Sequence, residues 1–298
     1  MSEIFGRVLT AMATPFDESG GVDYGQATVL AKHLIANGSD GIVVAGTTGE
    51  SPTLSDEEKI RLFRTVKEAV AGRAAVVAGS GTNDTKHSIH LTKEAQRAGA
   101  DGILLVNPYY NRPSQDGLYA HFRTVAESTS LPCMLYNIPS RTGVNCLPET
   151  IAKLSEIPNI TAVKEASGNL DQASEIRRRT KAVFRIYSGD DSLTLPTLSV
   201  GGSGVVSVAA HLVGREISEM VKTYERGDVG KALSIHIRLF PLFKVLFITT
   251  NPVPLKAALN LSGVNVGKPR LPLVEATAKE KEQIQSVLKE LALAAVRP

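Results

Sequence analysis

The sequence predicts an α/β protein built as a (β/α)8 barrel with a C-terminal helical appendage. Eight short, β-branched apolar runs recur along the first two thirds of the chain, amphipathic segments separate them, and the last third carries helical pattern alone. Runs that are apolar throughout, each followed by a helix, fit parallel strands covered on their outer face. Eight such units fit a closed barrel. A doubly wound open sheet has fewer strands and, for dinucleotides, a glycine-rich first turn that residues 10–17 do not offer.

The runs are Val8-Leu9, Gly41 to Ala45, Ala75 to Ala78, Gly102 to Val106, Cys133 to Tyr136, Ile160 to Val163, Arg185 to Tyr187 and Gly204 to Val208. After the second, Ile60, Leu62, Phe63, Val66 and Val70 make an apolar stripe at helical spacing. Ser55, three residues before Glu58, has the capping-box spacing that starts this helix. Beyond Ala210 the helical candidates are Glu216 to Tyr224, Val229 to Leu246, Pro254 to Leu261 and Ala278 to Ala295, punctuated by prolines 252, 254, 269 and 272. The expected division is a barrel over residues 1–225 and a helical region over 226–298.

The chain has 298 residues, 43% of them hydrophobic, enough to bury a sizeable core. The 33 basic residues nearly balance 30 acidic ones, and the one basic run, Arg177-Arg178-Arg179, follows Asp171 and Glu175 in what reads as a solvated helix face. That excludes nucleic acid as the expected partner. Two cysteines, one in an apolar run, give no disulfide framework and suit a reducing compartment. The stretch from Leu239 to Ile248 is interrupted by Pro241 and Lys244 and is too short to span a bilayer, and the acidic Glu3 is unlike a signal peptide. A cytoplasmic protein with no membrane contact is expected.

In a parallel barrel the chemistry sits where strands end. The second ends in Gly46-Thr47-Thr48-Gly49-Glu50-Ser51, whose hydroxyls and backbone amides either cradle a carboxylate or bond their own turn. The fourth and fifth deliver phenols in Asn107-Pro108-Tyr109-Tyr110 and Tyr136-Asn137-Ile138-Pro139-Ser140-Arg141-Thr142-Gly143. The sixth carries Lys164 in Val163-Lys164-Glu165-Ala166-Ser167-Gly168, a lysine inside a buried strand. Burying an amine favours its neutral, nucleophilic form, which attacks ketones to give an imine that acidifies the adjacent methyl. The bland alternative is an exposed Lys164-Glu165 pair. Asp190 and Asp191 after the seventh strand invite a metal reading, but an acid there equally caps the helix that follows. His87 and His90 share a helix face without a third ligand. No metal and no cofactor are expected.

Taken together, these strand-end motifs resemble the dihydrodipicolinate synthase / N-acetylneuraminate lyase family, in order and spacing along nearly the whole chain. The resemblance implies a class I aldolase that condenses pyruvate with aspartate semialdehyde to 4-hydroxy-tetrahydrodipicolinate, the entry to the diaminopimelate route to lysine. It implies that Lys164 forms the imine, that Thr47 and Thr48 hold the pyruvate carboxylate, and that Gly189 and Val206 line the pocket. Tyr136 would handle protons, linked through Thr48 to a Tyr110 donated by a neighbouring subunit of a homotetramer of two dimers. Arg141 would take the aldehyde's carboxylate, a task suited to a guanidinium. Family members that bind lysine do so near Ser51, Asn83, His87 and Tyr109. Asp56 and Lys59 stand here where sensitive enzymes have histidines, so weak lysine inhibition is expected. The rivals are a Schiff-base lyase acting on a sugar acid and a binding barrel that has lost the reaction.

Overall fold

The computed structural model describes residues 5–293. Eight parallel strands close into a barrel in chain order, with β8 pairing back onto β1. They are β1 (Val8–Ala11), β2 (Gly41–Val44), β3 (Ala75–Gly79), β4 (Gly102–Val106), β5 (Cys133–Asn137), β6 (Ile160–Glu165), β7 (Arg185–Ser188) and β8 (Gly204–Ser207). Each coincides with an apolar run of the sequence, because a parallel strand covered on both faces carries little alternation to confuse.

Side chains two apart share a face of a strand, and this sorts the barrel into two cores. Leu9, Val43, Val77, Leu104, Met134 and Val206 belong to the inner core, whereas Ile42, Val76, Ile103, Leu135 and Val205 pack outward against the helices. Phe5 joins the inner core, and the Tyr187 hydroxyl donates to the carbonyl of Gly6 at 2.8 Å.

The helix Asp56–Val70 starts with both reciprocal bonds of the capping box, Glu58 N–H to Ser55 Oγ and Ser55 N–H to the Glu58 carboxylate. Leu62, Phe63, Val66 and Val70 are buried as the stripe predicts, whereas Ile60 is half-buried and Lys59 is buried in its place. The helix expected from Glu216 begins at Ala210 instead. Gly214 obscured that start; a Cβ there would lie 2.3 Å from the carbonyl oxygen of Asn37, so the residue is needed for close packing. His211 fastens the first turn, its Nε2 accepting from Ala13 N–H at 3.1 Å and its Nδ1 donating to the Val208 carbonyl at 2.8 Å.

Three further helices, Val229–Val245, Val253–Leu261 and Ala278–Glu290, follow near the expected positions. Residues 294 and 295 of the last expected helix lie outside the described residues. Among the described residues no helix is long and apolar enough to cross a membrane. Both cysteines are buried and free, and burial pushes their thiols up to about 12.

Candidate active site

Lys164 occupies an inward position of β6, in register with Tyr136 on β5 and Tyr187 on β7. Its Nζ lies 4.1 Å from the centroid of the Tyr136 ring. Lys164 and Glu165 are 5% and 7% exposed, which rules out the solvated pair. The two side chains leave the strand on opposite faces. Glu165 accepts from the side-chain amides of Asn137 and Gln172 and from the N–H of Ser167. Among the described residues no carboxylate lies within ion-pair distance of Lys164.

The turn after β2 is closed by three backbone bonds: Gly49 N–H and Ser51 N–H to the Gly46 carbonyl, and Glu50 N–H to the Thr47 carbonyl. Among the described residues the amides of Thr47 and Thr48 meet no acceptor, and the Thr48 hydroxyl does not bond its own turn. The turn's own bonds are therefore made by the backbone, not by the Thr48 hydroxyl.

Gly189 follows β7 and its N–H donates to the Glu165 carbonyl at 2.8 Å. A Cβ at this position would sit 2.6 Å from Ala166 Cβ and 3.2 Å from Lys164 Cε, so a glycine is required beside the lysine. Val206 on β8 is buried in the inner core with Tyr136. Arg141 stands exposed on the short helix Pro139–Thr142 and donates from Nη2 to the Asn251 carbonyl at 3.3 Å.

Tyr110 behaves differently. It is 90% exposed with a φ of +72°, and no hydrogen bond joins it to Thr48 or Tyr136 within this chain. Thr48 is instead engaged by Asn251, whose Nδ2 donates to Oγ1 at 2.9 Å.

Asp190 caps the turn that follows, accepting from Ser192 N–H at 2.8 Å. Asp191 is buried and accepts from the amides of Val208 and Ala209 and from the Ser207 hydroxyl; burial pushes its carboxyl up to about 6, against those bonds. Backbone anchoring accounts for both acids. His87 lies 2.9 Å from Asp56, and the more exposed His90 lies 3.9 Å away.

Thr47, Tyr136 and Arg141 line one cleft of about 440 Å³. The same cleft takes in Ser51, Asp56, Lys59, Asn83, His87 and Tyr109, so the two expected groups of residues share a wall. Burial lowers the Lys59 ammonium from its usual value, with Asp56 opposing.

Three residues with no expected role complete the site. Asn251 touches both Thr48 and Arg141. Lys256, in the helix Val253–Leu261, pairs with Glu50 at 2.7 Å, each side chain 1% exposed. Lys256 also donates to the Lys268 carbonyl at 3.1 Å and lies 4.1 Å from the Phe16 ring centroid. Burial lowers its ammonium to about 8, against the pull of Glu50. Arg270 adds a backbone bond to Glu50 at 2.8 Å and a bidentate pair to Glu58. One signal was available: a lone lysine in a largely apolar helix needs a partner, as a buried charge does anywhere.

The family model described as the dihydrodipicolinate synthetase family matches residues 4–291. The chain belongs to the dihydrodipicolinate synthetase family. A member from Desulforudis audaxviator, a 4-hydroxy-tetrahydrodipicolinate synthase, is 61% identical over 98% of this chain and 100% of its own length. Among solved members, a dihydrodipicolinate synthase from Cyanidioschyzon merolae with lysine bound superposes with a TM-score of 0.97. It is 52% identical, over 98% of this chain and all of its own. The chloride-inhibited enzyme from Acinetobacter baumannii complexed with pyruvate gives a TM-score of 0.94 at 36% identity, with 98% and 100% covered. The strand-end motifs that carry the resemblance therefore sit on the family's barrel.

Proposed function

We propose that Lys164 forms a Schiff base with pyruvate and that the enamine derived from it condenses with aspartate semialdehyde bound on the Arg141 side of the cleft. The activity is that of a 4-hydroxy-tetrahydrodipicolinate synthase, a lyase of lysine biosynthesis by the diaminopimelate route. The observation that carries the residue assignment is a buried lysine with no counter-ion among the described residues, facing a phenol, in a barrel whose rim offers two hydroxyls and two amides that meet no acceptor among those residues.

The Lys164 amine adds to the ketone carbon of pyruvate and water leaves, giving the imine. The methyl then loses a proton and the enamine carbon attacks the aldehyde. The amine of the second substrate cyclises onto the former ketone carbon, expelling Lys164 unchanged and releasing 4-hydroxy-tetrahydrodipicolinate. Tyr136, against the Lys164 side chain, is the group suited to carry protons in these steps. Thr47 and Thr48 hold the pyruvate carboxylate through their amides and hydroxyls, and Gly189 and Val206 shape the pocket. Arg141, with N–H groups left beyond its bond to Asn251, takes the carboxylate of the aldehyde.

The same reading makes the protein a cytoplasmic homotetramer of two dimers, in which Tyr110 enters the neighbouring subunit's site. An outward phenol at the rim supports it, as does an exposed apolar stripe of Val229, Leu233, Ile237 and Phe240 on one helix, which suits a second contact.

Borohydride reduction in the presence of pyruvate, followed by peptide mass mapping, tests the central step: the adduct is expected on Lys164, and an unmodified Lys164 refutes it. Arg141→Ala should retain this trapping and lose turnover with the aldehyde; equal loss of both overturns the role of Arg141.

A further inference from the structure

We infer that Asn251 is a positioning residue that fixes the direction of the Thr48 hydroxyl through its side chain and holds the Arg141 guanidinium through its backbone, coupling the anchors of the two substrates. The inference rests on the assignment of Thr48 to pyruvate and goes beyond it by naming what orients that hydroxyl.

A threonine hydroxyl has one proton to give and two lone pairs to offer. Asn251 Nδ2 donates to Thr48 Oγ1 at 2.9 Å, and an amide nitrogen cannot accept in return. The Thr48 proton is therefore directed away from Asn251, free for another acceptor such as a carboxylate oxygen of pyruvate. Without the amide, the hydroxyl would be free to turn. A preset dipole costs no reorganisation at the moment of reaction.

The backbone of the same residue works on the other substrate's anchor, its carbonyl accepting from Arg141 Nη2 at 3.3 Å. Asn251 is 5% exposed, two residues before the helix Val253–Leu261, whose Lys256 pairs with Glu50 in the turn after β2. A side-chain amide kept for stability alone has both ends bonded in most proteins. Here the Oδ1 is buried with no partner among the described residues, so the amide is spent on Thr48.

Because the two contacts use different atoms, they separate by substitution. Asn251→Ala deletes the Thr48 bond and keeps the carbonyl under Arg141. In the full-length enzyme, kcat/KM for pyruvate is expected to fall about tenfold, the size of one lost hydrogen bond, while KM for aspartate semialdehyde stays put. In a Thr48→Val background the same change should cost nothing further for pyruvate, since the hydroxyl it acts through is gone. Asn251→Asp preserves shape but presents an ionised acceptor, which draws the Thr48 proton the wrong way. Its turnover should drop below that of Asn251→Ala and recover as acidification restores a donor, against a wild-type profile that does not rise.

Equal increases in both KM values, an undiminished effect in the Thr48→Val background, or wild-type turnover by Asn251→Asp would each overturn the inference. If Asn251→Ala fails to fold, the near-isosteric Asn251→Asp profile decides alone. Failure of pyruvate trapping in the unsubstituted protein would instead sink the assignment of the pyruvate site.

Discussion

Lys256→Met isolates the buried ion pair that ties the turn after β2 to the C-terminal helices. Methionine keeps the length of the lysine stem, so little cavity opens and the change is mainly one of charge. Glu50 is left 1% exposed, its counter-ion gone from 2.7 Å, with the Arg270 amide at 2.8 Å as its remaining donor. At an effective dielectric of about 20, a pair this close attracts by roughly 6 kcal/mol. The surviving amide offsets part of that, and truncating one partner of a buried pair costs about 3–5 kcal/mol in comparable cases. That is a large fraction of a typical stability of roughly 5–15 kcal/mol.

Urea unfolding at pH 7 reads the effect as a fall in midpoint at unchanged slope. The double variant Glu50→Gln/Lys256→Met carries no stranded charge and should recover most of the loss, giving a coupling energy of about 2 kcal/mol or more. Two results refute the reasoning: a Lys256→Met protein as stable as wild type, or a double variant as damaged as the sum of the singles. Since Glu50 closes the turn that carries Thr47 and Thr48, borohydride trapping by Lys256→Met should slow as well.

Gly189→Ala places a methyl 3.2 Å from Lys164 Cε and 2.6 Å from Ala166 Cβ, so pyruvate trapping should collapse in a protein that still folds; normal trapping would show that the lysine has room to spare. Burial holds the imidazole of His211 at about 4, below its ordinary 6.5, so the stability it contributes is whole above pH 6.5 and drains towards pH 4, by up to about 3 kcal/mol. His121, also at about 4, acts in the same sense and Asp191, raised to about 6, in the opposite one, so the test is the difference from His211→Gln. The gap in urea midpoint between wild type and that variant should narrow as pH falls from 7 to 4, and a constant gap refutes the assignment. Lysine at millimolar concentration should leave turnover nearly unchanged, because Lys59 is buried in the cleft wall and Asp56 is already engaged by His87 at 2.9 Å; strong inhibition would overturn that expectation.

The barrel was legible because its information is local. A strand covered on both faces must be apolar throughout, so each run could be read alone, and a capping box needs four residues. Lys164 was legible for the same reason, as a charge where the neighbours forbid one. Asn251 was not: its partner Thr48 is 203 positions away, and the proline-flanked segment around it reads as punctuation. Lys256 carried the same kind of signal as Lys164 but sat in the appendage, where no strand end drew attention to it. In the helix after Ser55, Leu62, Phe63, Val66 and Val70 are buried as the stripe predicts, and only its first member differs: Lys59 turns into the cleft while a periodicity argument assigns charges to solvent. Tyr110 points away from its own chain, a direction that spacing does not reveal.

The two buried lysines Lys164 and Lys256 make the functional argument by contrast. They differ little in depth, at 5% and 1% exposed, and each faces an aromatic ring at 4.1 Å. Their polar neighbours differ. Lys256 has a carboxylate at 2.7 Å and a carbonyl at 3.1 Å, contacts that would have to break before its nitrogen could bond to carbon. Among the described residues Lys164 has neither, and the glycine after β7 keeps the space beside its Cε clear of a side chain. A charge buried with partners is held in place, whereas one buried without them is a cost the fold carries for a reason. In this barrel the partnered lysine braces the turn after β2, and the other is the amine that the proposed Schiff base with pyruvate would use.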